Sequence, residues 1–296
     1  MTDTHPVAAR TGPRAPRAPR ALRALRLLGG TWLVRISAVV LVLFVIAAAL
    51  GPLLAPQDPT FGDLDNTLVG PSAAHWLGTD QGGHDTFSAL IEGTRTSLVG
   101  PLAVVLSSTV AGIAVGLFSA WCGGWVDAAV SRVLDILFAF PSLLLAILAV
   151  ALFGKGITAP VLAMAVAYMP YTARLVRGLT VQEKTRPYIA AYRVQGHSPV
   201  FTAVRRLLPN IGPTVLAQST VNFGYALLDL AALSFLGLGV QPPTPDWGAM
   251  INQAQAAILQ GQPLSAVVPA TAVVVVVVAF NVVGEHLGDR LAGRES

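Results

Sequence analysis

The most constraining feature of this chain is a set of six long apolar stretches that carry almost no charge. They fall at about 33–54, 97–120, 129–153, 157–179, 212–236 and 264–287. Each is close to the roughly 20 residues that a helix needs to cross the hydrocarbon core of a bilayer. Composition agrees, with 54% of residues hydrophobic and 11% charged, against about 25% charged in soluble domains. A soluble core of 296 residues cannot hide that much apolar surface behind so few charges, whereas a lipid-facing surface can. The last stretch contains an unbroken run of valines, Val273 to Val278. In water such a run favours a strand. In a bilayer an open strand leaves backbone groups unpaired at several kcal/mol each, so helix is expected. The fold class that follows is all-α integral membrane, with six transmembrane helices.

The placement of charge orients these spans. Arg10, Arg14, Arg17, Arg20, Arg23, Arg26 and Arg35 precede or open the first one. Arg132 lies in the second-to-third turn. Arg174, Arg177, Lys184, Arg186, Arg193, Arg205 and Arg206 belong to the fourth-to-fifth connection, and Arg290 and Arg294 to the C-terminus. Only Arg95 and Lys155 fall on the opposite face. Basic residues stay cytoplasmic, so both termini and the long basic connection are expected in the cytoplasm. The acidic 55–95 loop, with Asp58, Asp63, Asp65, Asp80 and Asp85, is expected outside.

The chain divides accordingly. Residues 1–30 read as a basic, disordered, Pro/Ala-rich cytoplasmic tail lying near anionic lipid. A nucleic-acid arm is the competing reading, disfavoured beside a membrane span. Residues 31–96 hold the first transmembrane helix and the extracytoplasmic loop, and 97–290 form the core membrane domain. The first span also fits a cleaved secretory leader. Its apolar run continues through Leu53 and Leu54, and five more spans follow, which favours retention.

The connection 180–211 is the most informative loop. Thr185 is placed to cap a short helix, and Pro187 suits its first turn. The helix is expected over Tyr188 to Gln195, with Tyr188, Ala191, Tyr192 and Gln195 on one face. Gly196 ends it, and Pro199 lies just beyond. A second amphipathic stretch, Val200 to Leu208, leads through Pro209 back into the membrane. The spacing allows two readings: a docking element for another protein, or a surface helix on lipid headgroups.

This segment resembles the cytoplasmic coupling loop of importer permeases of the ATP-binding-cassette class. Ala190, Ala191 and Tyr192 occupy the places of the usual Glu-Ala-Ala, Gly196 is the glycine, and Pro209 closes the motif after Leu207 and Leu208. The glutamate is absent, and Tyr192 replaces the second alanine. Further phrases resemble the second permease subunit of dipeptide, oligopeptide and nickel importers. They are HWLGTDQGGHDTFSALIEGTRTSL (75–98), RVLDILFAFPSLLLAI (132–147), SFLGLGVQPPTPDWGAMI (234–251) and FNVVGEHLGDRL (280–291). Within the first, His84 stands where an arginine is usual. The resemblance covers about 50–291 and omits the basic tail.

That resemblance implies the type I importer permease fold. It implies half of a translocation pathway for peptides or similar small solutes, with nickel as an alternative cargo. The implied partners are a homologous permease subunit, two cytoplasmic ATP-binding subunits, an extracytoplasmic solute-binding protein and membrane lipid, with no nucleic acid. Tyr188, Ala190, Ala191, Tyr192, Gly196 and Pro209 are the implied ATPase-coupling residues.

No GxxxxGK[ST] phosphate loop, HExxH pair or Cys-x-x-Cys pair occurs, so the chain is not expected to be an enzyme or to carry a cofactor or resident metal. His75 and His84 sit among the loop aspartates, where a metal site is a minor alternative to plain surface histidines. Asp229, inside the fifth span, and Asn222, about two turns before it, are candidate translocation-pathway residues. A carboxylate at that depth is tolerated where it faces protein or water. The family commonly places its acid at the position of Leu230, about 100° away around the helix. Asp135 reads as a local polar contact. Pro101, Pro141, Pro160, Pro170, Pro213 and Pro269 lie in or near spans, where each frees a backbone carbonyl and can bend its helix, as proline does routinely in membrane helices. The rival classes are an ion-coupled secondary transporter, which would show internal repeats, and a membrane-embedded enzyme, which would cluster titratable residues at one membrane face.

Overall fold

The computed structural model describes residues 20–292, with side chains described over 32–290. Of the basic tail expected over 1–30, residues 1–19 lie outside the described residues. Residues 20–30 are helical, because α1 runs over Arg20–Leu54. The loop that follows contains a single 3-10 turn, Leu64–Asn66. Next come α2 (Thr86–Cys122), α3 (Gly124–Phe138), α4 (Ser142–Phe153) and α5 (Thr158–Glu183). The 180–211 connection contributes α6 (Pro187–Val194), α7 (Pro199–Thr202) and a π turn (Ala203–Leu207) that runs into α8 (Leu208–Phe235). Two short helices, α9 (Trp247–Gln253) and α10 (Gln255–Leu259), precede α11 (Leu264–Ala292). Among the described residues there is no strand, only an isolated bridge between Thr79 and Asp85. The Val273–Val278 run is helical.

Of the six expected spans, four take the expected form and two differ from it. Four helices are long and apolar enough to cross a membrane: the Trp32–Leu54 part of α1, then α2, α5 and α11. The expected third span, 129–153, is not one helix. It breaks between Phe138 and Ser142, and α3 and α4 meet at 79°. Pro141 is the cause, since it disfavours helical backbone at Phe140 and has no N–H to continue the ladder. Counting the bent pair as one span gives five. The long helix α8 falls short on apolarity because Gln218, Ser219, Thr220, Asn222 and Asp229 interrupt it.

The core lies where α2, α4, α5, α8 and α11 converge. Val104, Ala146, Met164, Ala226, Leu233 and Val276 are fully buried there. The packing of α2 on α5 depends on Gly112 and Gly116. A Cβ on either would press into Thr172, the Ala173 backbone or Val176, so the helices approach at backbone distance.

At one end of the bundle, α9 plugs the gap between α2, α8 and α11. Trp247 is completely buried. Its Nε1 donates to the Leu90 carbonyl at 3.1 Å, and Phe44 meets its ring edge-on at 5.5 Å. Asp246 caps α9 through Ala249 N and accepts from Ser97 Oγ at 3.0 Å. The Trp247 amide in turn donates to Ser97 Oγ at 2.9 Å. The phrases at 75–98 and 234–251 therefore form one interlocked cap. At the other end, Lys184 Nζ donates to the Ala120 carbonyl at 2.8 Å and neutralises the C-terminal end of α2. Arg177 makes a bidentate pair with Asp127 of α3.

Candidate functional site

The 180–211 connection folds into a hook beneath the Lys184 end of the bundle. Its helix, α6, spans Pro187–Val194, one residue short of the expected end at Gln195, and Pro187 occupies the first turn. Thr185 does not cap it as expected. Its hydroxyl donates back to the Gln182 carbonyl at 2.8 Å, and Arg186 holds the cap position without a side-chain bond. Gly196 ends the helix with φ +78°, the left-handed region that suits glycine. Ser198 then caps α7 by accepting from the Phe201 amide.

What fixes the hook was only partly visible in the sequence. Ile189 is buried and joins Val176, Leu207, Ile211 and Val215 in a second, smaller core. Beside it, Tyr188 OH donates to Glu183 Oε2 at 2.7 Å and accepts from Asn210 Nδ2 at 3.1 Å, tying α5, α6 and α8 together. Burial, and then the bond to Glu183, push the Tyr188 phenol up to about 12. Arg186 closes on Glu183 at 2.8 Å. A second tie is aromatic: the Arg206 guanidinium lies 4.7 Å from the Tyr192 ring centroid, and His197 stacks on Phe201 at 4.6 Å. The expected face of Tyr188, Ala191, Tyr192 and Gln195 is thus split. The two tyrosines turn partly inward, while Ala191 and Gln195 are exposed. An inward Ile189 next to Tyr188, one turn before Tyr192, was the signal that the i, i+3, i+4 count passed over.

The outward surface of the hook combines small and apolar residues with the exposed Arg193, Gln195 and His197. Ala190, Ala191 and Gly196 are exposed, Val194 is 88% exposed and Val200 72%. Pro209 sits in the first turn of α8, just past the π turn. Its ring would clash with the Arg205 carbonyl in a regular helix. The wider turn over Ala203–Leu207 accommodates it, and such turns recur at functional positions.

The other candidates lie elsewhere. Asp229 is a helix-contact residue at the meeting of α4, α5 and α8. Its Oδ2 accepts from Ser142 Oγ at 2.5 Å and from Tyr168 OH at 3.0 Å. Asn222 is buried and bonds through Oδ1 to Gln218 Nε2 at 3.0 Å, so the two share no partner. Asp135 is a local contact, paired with Arg174 at 2.7 Å. In the outer loop, His75 pairs with Asp85 at 3.1 Å and His84 with Asp80 at 3.0 Å. Among the described residues, no three His, Cys, Asp or Glu side chains gather in a metal-binding group.

Comparison with known proteins places this geometry. Residues 112–294, which include the whole hook, match the family described as the binding-protein-dependent transport system inner membrane component. The chain belongs to that family. Residues 25–71 match the N-terminal transmembrane domain of oligopeptide transport permease C. The chain is 40% identical over 260 residues to the glutathione transport system permease protein GsiD of Pectobacterium atrosepticum, covering 87% of this chain and 86% of that one. It is 35% identical to the dipeptide permease DppC of Alkalihalophilus pseudofirmus, with 86% and 84% covered. It is 37% identical to the nickel permease NikC of Escherichia coli, with 89% and 95% covered. An inward-facing structure of the MetNI methionine ABC transporter superposes with a TM-score of 0.53 at 20% identity, covering 71% of this chain and 97% of that one. At that identity the likeness speaks for the fold. The protein is therefore a multi-pass permease subunit of an ABC importer in the plasma membrane, a membrane component that works with ATPase and binding-protein partners.

Proposed function

We propose that this permease forms half of a translocation pathway for peptides or similar small solutes, paired with a homologous permease, two cytoplasmic ATPase subunits and an extracytoplasmic binding protein. The observation that carries the reading is the hook. Ile189 and Tyr188 anchor it to the bundle, while it presents Ala190, Ala191, Val194 and Gly196 outward with little side-chain bulk. A rigidly held surface of small residues suits close docking against a moving ATPase. Closure of the ATPases would then push on α6 and, through the π turn, on α8.

In this reading both termini are cytoplasmic and the chain crosses six times, with α3 and α4 as one bent crossing and α8 as a polar one. Lys184 meeting Ala120, and Arg177 meeting Asp127, gather the basic residues at one end of the bundle. The acidic 55–85 loop and the α9 cap sit together at the other, where Gln81 donates to the Gln253 carbonyl. Peptide cargo is favoured by the similarity to glutathione and dipeptide permeases, and the nickel permease supports the alternative.

The test is Ala191→Glu, which adds charge and bulk to the docking surface without touching the anchors. Membrane insertion is expected to stay normal, while ATPase co-purification and cargo-stimulated hydrolysis fall about tenfold or more. Full association with full stimulation would show that the hook docks elsewhere.

A further inference from the structure

One feature of the spanning bundle is not used by the coupling hook. A cleft of about 520 Å3 opens between α5, α8 and α11, lined by Leu175, Thr214, Ala217, Gln218, Val221, Asn281 and Glu285. That volume lies within the roughly 300–1,000 Å3 of small-molecule sites. Its construction follows from helix geometry. Thr214, Gln218, Val221 and Tyr225 fall on one face of α8 at i, i+4, i+7 and i+11. Asn281, Glu285 and Gly288 share a face of α11. The two helices approach closely there, because a Cβ on Gly284 would collide with the Thr220 side chain and one on Gly288 would come within 2.9 Å of Ala217 Cβ. Close backbone contact on that stripe leaves the polar side chains at its lip.

Two observations set this face apart from lipid and from a sealed core. Thr214, Val221 and Glu285 are exposed, and a carboxylate turned towards acyl chains is strongly disfavoured. Gln218 lies about 15 Å along α8 from Leu208, and Asn281 lies at a similar distance from the end of α11, so the two amides share one depth. Behind them sits Asn222, only 1% exposed, whose Nδ2 has no partner among the described residues. The Oδ1 of Asn281 has none either. Both atoms are closed off from the open cleft, so water behind the lining is what they call for, and a cleft ligand meets other atoms.

The set has a chemical reading. Gln218 Nε2 is engaged by Asn222 Oδ1 and Asn281 Oδ1 is closed off, which leaves the Gln218 Oε1 acceptor and the Asn281 Nδ2 donor to match the N–H and C=O of another amide. A carboxylate at the mouth matches an ammonium group. The apolar remainder (Leu175, Ala217, Val221) is too small and shallow to select a particular side chain. We infer that the α5–α8–α11 cleft is a cargo-binding site that recognises a peptide by its main chain, with Gln218 and Asn281 on the amide and Glu285 on the free N-terminal ammonium. This deepens the importer reading and rests on it.

The experiment uses the complete transporter in membranes, with Cys122, which is exposed, replaced by alanine. Single cysteines replace Thr214 or Val221, at the lip, and a charged thiol reagent is applied from the cytoplasmic side. Both positions are expected to react. Alanyl-alanine is expected to slow the reaction at least fivefold, and N-acetyl-alanyl-alanine to protect much less. Glu285→Gln is expected to weaken protection by alanyl-alanine about ten- to hundredfold and to leave the acetylated probe unaffected. Unreactive cysteines would overturn the site, and a cross-link from either to the partner permease would identify the face as a subunit interface. Reaction without protection by alanyl-alanine would overturn the ligand class. Equal protection by the two probes would overturn the role of Glu285. ATPase co-purification from the same preparations reports on the coupling reading separately, so failure of the cleft and failure of the importer assembly are distinguishable.

Discussion

Gly196 has nothing within 4 Å of the position a Cβ would take, yet its φ is +78°. Space is therefore not what requires glycine there; backbone conformation is. A β-branched residue in the left-handed region is strained by about 1–3 kcal/mol, whereas asparagine tolerates it. Gly196→Val is expected to reduce ATPase co-purification about tenfold while leaving insertion near normal, and Gly196→Asn should stay close to the parent. If the two variants behave alike, turn geometry is not what the coupling surface depends on. Asp229 presents the opposite case, a residue defined by its partners. Asparagine keeps an acceptor for Ser142 and Tyr168, whereas leucine strands both hydroxyls at roughly 1–3 kcal/mol each. Asp229→Leu should lower the thermal midpoint in detergent and depress uptake more than Asp229→Asn. Unimpaired transport and unchanged melting in both would leave the acid without a role.

At the scale of elements, the hook stands on the Tyr188 phenol, which bridges Glu183 and Asn210. Tyr188→Phe removes that bridge and leaves Glu183, itself mostly buried, short of a donor. Faster tryptic cleavage at Arg193 in membranes should follow. The same tie carries a pH signature. The folded phenol is raised to about 12, from about 10 when unfolded. Its contribution is thus complete below pH ~10 and is lost as pH climbs from ~10 to ~12. Protease resistance at Arg193 should decline in that window in the parent and be flat across it in Tyr188→Phe.

These elements also show what was readable in advance. The short helix, its Gly196 stop and Pro187 start were legible because each rests on a local backbone rule. The Thr185 cap was not, because its hydroxyl found a nearer carbonyl at Gln182. The inward turn of Ile189 depended on Leu207, Ile211 and Val215, which are remote from it in sequence. The bend at Pro141 was signalled by the proline, but a proline alone does not specify its 79° size. α8 was expected as an ordinary span. Its polar residues are met by several helices, Ser219 by Thr109 of α2 and Asp229 by Ser142 of α4 and Tyr168 of α5, contacts that hydropathy along one segment does not register.

At the scale of the whole molecule, the distribution of Lys and Arg predicts an orientation that labelling tests. Cysteines placed singly at Ser72 and Ser198, both exposed, in a Cys122→Ala background should respond oppositely to an impermeant reagent applied outside intact cells. Position 72 should label and position 198 should not; the reverse would invert the topology and remove the hook from the ATPase side.

The junction at Ala203–Leu207 also has a mechanical consequence. Because the π turn widens the helix around Pro209 without breaking it, Pro199 through Phe235 form one continuous helical stretch with a contour of roughly 55 Å. Turned as a unit about its middle, a stretch of that length has two equal arms and transmits displacement without gain. Tilting it by only ~10° about its middle displaces each tip by roughly 5 Å, about one helical turn, with the polar face of α8 carried along in between. A stroke of roughly 5 Å at Val200 would then be matched by an equal and opposite one at Phe235, with no helix refolded.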